Sequence, residues 1–190
     1  MEGKSRTIAD VCSAIERGDV AGAESQLRLE YPFAKRPVSQ RKYSDAQALR
    51  VFTRDRFVDR YSGDRLVFPG VLRVLSLKLP HEFPFQKNWK MDETHLAFWE
   101  LMPTVDHVIP VARGGVDAEE NWVTTSMVRN SAKSNWLLEE LGWSVRPVES
   151  NGSWDGLLNW FFRYIGSHED MLEEAYVRRW FRAARQAAVV

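Results

Sequence analysis

The residues best suited to chemistry lie in one stretch, VDHVIPVARGGVDAEENWVTTSMVRNSAKSN, residues 105–135. Asp106 and His107 are adjacent in a segment that reads as a strand. Pro110, the pair Gly114-Gly115, Asn121 and Asn130 follow, and Lys133 comes one helical turn after Asn130. Adjacent side chains on a strand point to opposite faces, so Asp106 and His107 cannot do the same job. If a helix carrying Asn130 packs across the strand, its amide oxygen and the Asp106 carboxylate could share one hard cation. Oxygen donors of this kind suit Mg²⁺ or Mn²⁺ rather than zinc. The His107 imidazole, neutral near pH 7, could take a proton from a water molecule. Singly, each residue has a plainer reading: Asp106 as a strand-end cap, His107 as a hydrogen-bonded core imidazole, Asn121 as a helix N-cap for VTTSMV. The ordered set favours catalysis.

The elements that must position these residues can be read from pattern. Residues 6–31 suggest two short helices broken at Gly18-Asp19. Residues 32–43 suggest an extended linker, and Ser44 opens a helix running to about Thr53. FVDRYSGDRLVF, residues 57–68, alternates as a β-hairpin turning near Ser62-Gly63-Asp64. Pro69 starts another helix, and residues 80–94 form a proline- and aromatic-rich loop. A short apolar approach, Ala97 to Val105, leads into the motif. Asn121 to Gly142 reads as helical, and two C-terminal helices follow at about 154–165 and 168–186, the second with a Ser167/Asp170 capping box. The fold class expected is α+β. Its divisions are an N-terminal helical extension (1–54), a core with an insertion (55–145) and a C-terminal helical region (146–190), together one compact unit.

Composition sets the outer limits. At 190 residues, 44% hydrophobic and 27% charged, the chain is ordinary globular material, which excludes disordered and collagen-like classes. The single cysteine, Cys12, excludes an internal disulfide and a Cys₄ zinc site. No apolar run approaches the ~18 residues of a membrane span, and the N-terminus does not read as a signal peptide, so a cytoplasmic protein without membrane partners is expected. Equal numbers of basic and acidic residues, 26 each, leave the net charge at zero. The distribution is uneven: residues 33–60 hold eight Lys or Arg against three Asp, a segment that could touch phosphates. The eight tryptophans read chiefly as packing anchors.

In this order and spacing, Asp106-His107, Pro110, Gly114-Gly115, Asn121 and Asn130 resemble the HNH, or ββα-metal, nucleases. The resemblance covers roughly residues 55–140 and is strongest over 105–135. It implies a β-hairpin-and-helix core surrounded by the N- and C-terminal helices, and hydrolysis of DNA phosphodiester bonds, with RNA an alternative substrate. Asp106 and Asn130 would bind one Mg²⁺ or Mn²⁺, and His107 would be the general base. Asn121 would order the loop and fix the His107 ring, while Lys133 and Arg113 would contact phosphates. A homodimer is compatible with the helical extensions.

The chain also departs from the family. Many relatives hold a structural zinc with two Cys-x-x-Cys pairs, and the matching positions here are Asp59, Ser62, Ser126 and Arg129. No structural zinc is therefore expected, and an Asp59–Arg129 ion pair with serine hydrogen bonds is expected in its place. The competing function is a catalytically inactive nucleic-acid-binding or protein-interaction domain on the same scaffold. Recognition sequence, strand preference and biological role are not legible.

Overall fold

A computed structural model describes residues 2–33, 43–148 and 153–187. By internal contacts the chain divides into two units, residues 1–38 and 39–190. In the first, α1 (Glu2–Glu16) and α2 (Val20–Glu30) pair around Val11, Ala14 and Ala23. Gly18 makes the break between them at φ 78°, a left-handed conformation that suits glycine, and the Asp19 carboxylate caps α2 by accepting the Gly22 amide at 2.9 Å. Most of the expected linker, with Lys35, Arg36, Arg41 and Lys42, lies outside the described residues.

The second unit is α+β. Its helices are α3 (Asp45–Arg54), α4 (Pro69–Lys78), α5 (Ala97–Glu100), α6 (Met127–Lys133), α7 (Leu138–Leu141), α8 (Leu158–Ser167) and α9 (Ala175–Ala187). A two-stranded antiparallel sheet joins β1 (Pro103–His107) to β2 (Trp122–Ser126), in register from Pro103 opposite Ser126 to His107 opposite Trp122. Helix α3 starts at a capping box between Ser44 and Gln47, and it buries Ala48, Leu49, Val51 and Phe52. Phe68 anchors the core. Its ring meets those of Phe57, Phe161 and Trp180 edge-on at centroid distances of 6.3, 5.0 and 5.6 Å, which ties α4 to α8 and α9. Arg179 of α9 forms a two-pronged pair with Asp45 of α3, both contacts at 2.6 Å.

Three expectations about the elements change. Residues 122–126, expected as the start of a long helix, form β2 instead. Val123, Thr124 and Thr125 are β-branched, and both edges of the strand find partners. One edge pairs with β1. Along the other, Asp55 accepts the Thr124 amide at 2.8 Å, Asp59 accepts the Ser126 amide at 2.8 Å, and the Arg60 amide donates to the Thr124 carbonyl at 2.9 Å. Asn121 consequently caps no helix of VTTSMV, and the helix that follows is short: Ser134, at φ 48°, ends α6.

The segment 57–68 pairs as a hairpin much shorter than expected: one antiparallel bridge, Val58 to Arg65, is flanked by bonds from the Asp59 amide to the Asp64 carbonyl at 2.8 Å and from the Leu66 amide to the Phe57 carbonyl at 2.7 Å. Gly63 makes the expected turn at φ 86°. The Asp59 carboxylate turns inward to accept the amides of Tyr61 and Ser62 at 2.9 and 3.3 Å, which curls the chain out of strand geometry. The same carboxylate accepts the Thr125 hydroxyl at 3.0 Å and stands 3.5 Å from the Arg129 guanidinium. The expected Asp59–Arg129 pair is thus present, reinforced chiefly by backbone amides rather than by serine hydroxyls. Ser126 spends its hydroxyl on capping α6, accepting the Arg129 amide at 3.4 Å.

The C-terminal region also differs. Residues 169–173 form a 3₁₀ turn, and α9 starts at Ala175. The cap is Glu174, whose carboxylate accepts the Val177 amide at 2.7 Å, in place of the expected Ser167/Asp170 box. No helix among the described residues is long and apolar enough to cross a membrane.

Candidate functional site

Strand β1 sorts the motif by face. Thr104 and Asp106 point one way, Val105 and His107 the other. Helix α6 lies over the first face, and Asn130 fastens it there: its side-chain amide donates to the Thr104 hydroxyl at 3.0 Å and to the Val105 carbonyl at 3.2 Å. Asn130 also borders an open hollow of about 340 Å³ lined by Thr104, Met127, Ser131 and Ser134.

One turn further along α6, Lys133 points inward. Its ammonium sits 2.9 Å from Asp106 Oδ2 and donates to the His107 carbonyl at 2.7 Å. The Tyr61 hydroxyl donates to the same carboxylate oxygen at 2.6 Å. Lys133 is 0% exposed, so it reaches no phosphate, which corrects the expected role. A buried ammonium is tolerable because a carboxylate and a carbonyl replace its water shell. Burial, and then the neighbouring Asp106 charge, push the Tyr61 hydroxyl well above the ordinary tyrosine range, so it stays a proton donor.

On the other face, His107 is 1% exposed. Its Nε2 lies 2.7 Å from Asp117 Oδ1, and the Trp122 indole N–H reaches both atoms, 3.0 Å from Nε2 and 3.1 Å from Oδ1. The second ring nitrogen, Nδ1, is buried with no hydrogen-bond partner among the described residues.

Asn121 ties the loop that connects the strands. Its carboxamide accepts the Ile109 amide at 2.9 Å and donates to the carbonyls of Ile109 and Val116, each at 2.8 Å. Those bonds use the loop backbone and not the His107 ring. The expected ordering of the loop is therefore seen, and the ring is held by Asp117 and Trp122. The glycine pair has two separate reasons. Gly114 lies at φ 93°, and a Cβ on Gly115 would collide with the Ile109 carbonyl oxygen.

Arg113, expected at a phosphate, pairs with Glu140 at 3.0 Å, both side chains half-buried. The basic run, where it is described, pairs in part with carboxylates of the chain itself. Arg50 pairs with Glu119 at 2.9 Å, and Arg54 and Arg60 converge on the buried Asp55 at 3.0 and 2.8 Å. Asp117 was not singled out in the sequence. Its only signal there is its place two residues after Gly115, in the loop that Asn121 closes.

The donor set suits a hard divalent cation in one respect. Asp106 Oδ2 and the Asn130 amide nitrogen are occupied, while Asp106 Oδ1 and Asn130 Oδ1 accept no hydrogen bond from the described residues. Those two oxygens are the ones that could hold Mg²⁺ or Mn²⁺. Among the described residues no cluster of three or more His, Cys, Asp or Glu is placed to hold a metal. A cation here would therefore complete its shell from water and substrate oxygens, as Mg²⁺ commonly does. Compared with known proteins, the chain matches no family model, no curated protein and no solved structure.

Proposed function

We propose that the chain is a metal-dependent nuclease of the HNH, or ββα-metal, type that hydrolyses DNA phosphodiester bonds. The observation that carries this reading is the strand–loop–strand–helix order of β1, β2 and α6. It brings Asp106 and Asn130 to one face and leaves the adjacent His107 with an unpartnered ring nitrogen. A divalent cation on Asp106 and Asn130 would stabilise the charge that develops on the phosphate and the departing oxygen. His107 accepts the proton of the attacking water. Asn121 and the glycine pair hold the loop behind it, and Lys133 with Tyr61 fixes the Asp106 carboxylate from the side away from its bare oxygen.

The test is a plasmid-nicking assay with Mg²⁺ or Mn²⁺. The His107→Ala variant should cleave about 10²–10⁴-fold more slowly, the usual worth of a positioned base, with little change in metal binding. Asp106→Ala and Asn130→Ala should lose metal affinity and recover in part as Mn²⁺ is raised. Equal rescue of all three variants would show the roles to be misassigned. Cleavage by wild type that ignores both chelation and His107→Ala would overturn the reading.

The ammonium on Asp106 and the deep burial of His107 favour a second reading, an inactive nucleic-acid-binding or protein-interaction domain on this scaffold. That reading expects retention of DNA or of a protein partner with no cleavage under any metal.

A further inference from the structure

We propose that Asp117 selects the tautomer of His107, placing the ring proton on Nε2 and leaving Nδ1 as the atom that accepts a proton; this rests on His107 being the base of the reading above. Three atoms meet at the ring edge: His107 Nε2, Asp117 Oδ1 at 2.7 Å from it, and Trp122 Nε1 at 3.0 Å from it. An indole nitrogen can only donate, an ionised carboxylate can only accept, and a neutral imidazole carries one donor and one acceptor. The three groups can therefore be satisfied in one way.

If Nε2 were bare, it could accept from Trp122. It would then face the carboxylate oxygen lone pair to lone pair at hydrogen-bond distance, and the ring proton would sit on Nδ1, buried without an acceptor. If Nε2 carries the proton, it donates to Asp117 Oδ1. The indole N–H donates to the same oxygen from 3.1 Å, and only the Nδ1 lone pair is left over. Both bonds to the carboxylate are charge-assisted, and every buried donor is used. Asp117 and Trp122 thus pull the tautomer in opposite directions. With Asp117 removed, the indole is the group left at Nε2. It needs a lone pair there, and the proton would move to Nδ1.

Asp117 is a positioning residue, since it touches the ring and not the reacting atoms. It belongs to the loop that Asn121 and Gly115 hold in place, so the order of that loop reaches His107 through Asp117. Loop and base are coupled by one hydrogen bond.

The experiment is long-range ¹H–¹⁵N NMR of the full chain labelled at histidine, in mildly alkaline solution where imidazole is neutral, with His107 assigned by its loss in His107→Gln. Wild type should show a pyrrole-type Nε2 and a pyridine-type Nδ1. Asp117→Ala should reverse that pattern and slow cleavage about 10²–10⁴-fold, the worth of the base it misdirects. Asp117→Glu, which keeps a carboxylate, should restore the wild-type pattern, and Trp122→Phe should leave it unchanged. A pyrrole-type Nδ1 in wild type, or an unchanged pattern in Asp117→Ala, would overturn the proposal. The spectrum does not depend on turnover, so failure of the nuclease reading shows in the nicking assay and failure of this one in the NMR.

Discussion

Replacing Lys133 by Met tests whether the site has been placed correctly. Methionine keeps the length of the buried stem and deletes the ammonium. What remains is an Asp106 carboxylate that has lost its 2.9 Å cation and keeps the Tyr61 hydroxyl at 2.6 Å, beside a His107 carbonyl that has lost its 2.7 Å donor. Breaking a buried pair by removing one partner costs about 3–5 kcal/mol, because the other charge stays behind unpaired. The unfolding equilibrium should shift by roughly two to three and a half powers of ten, at tenfold per 1.4 kcal/mol. A surface lysine reaching for phosphate would cost within about 0.5 kcal/mol when replaced. The two placements therefore differ several-fold in the quantity measured. The assay is urea unfolding followed by tryptophan fluorescence on wild type, Lys133→Met, Asp106→Asn and the double variant. In the double variant neither charge remains, so its loss should fall short of the sum by about 0.5–3 kcal/mol, the range for residues in contact. The salt dependence of DNA binding should not change in Lys133→Met, whereas a lost phosphate contact would lower its slope by about one. A small, additive loss of stability together with a reduced salt slope would refute the burial of Lys133 and the reasoning built on it.

Other outcomes follow from the same geometry. Asp59→Ala strands the buried amides of Tyr61 and Ser126 and should destabilise by about 1–3 kcal/mol for each of the two orphaned donors, while Arg129→Ala, whose side chain is 38% exposed, should cost about 0–1 kcal/mol; equal losses would show that the guanidinium carries the junction. Because this carboxylate stands at a position where the HNH nucleases that the motif resembles carry a zinc-binding cysteine, elemental analysis should find no stoichiometric zinc, and on the proposed nuclease reading EDTA should abolish cleavage without lowering Tm. Tyr61 and Tyr176, both raised by burial above the ordinary range, stabilise the native state fully below about pH 10, and that contribution is lost as pH climbs beyond it. Ultraviolet titration should then find these two of the five tyrosines ionising only with alkaline unfolding; reversible ionisation of all five near pH 10 with an intact fold would contradict it.

Some of this molecule is written in local chemistry, and there the sequence sufficed. Alternation along a strand separates Asp106 from His107 whatever surrounds them, and the structure has them on opposite faces. Gly63, Gly114 and Ser44 answer to backbone conformation or capping within a few residues, and each does what its type predicts. The Asp59–Arg129 pair was legible because its two positions correspond to known neighbours in a resembling family. The rest depends on groups distant in the chain. Periodicity read 122–126 as helix because nothing local reports that Asp55, Asp59 and Arg60 bond the free edge of that segment from more than sixty residues away. Lys133, Arg113 and Arg50 looked like phosphate contacts because charge in a sequence does not name its partner. Only packing put Lys133 against Asp106, Arg113 against Glu140 and Arg50 against Glu119. Asp117 shows the same limit within the motif itself. Ten residues separate it from His107, and only the folded loop, closed by Asn121, brings a carboxylate to 2.7 Å from the ring. Short-range sterics are set by the chain alone, whereas the partner of a charge is decided by the tertiary fold that removes its water.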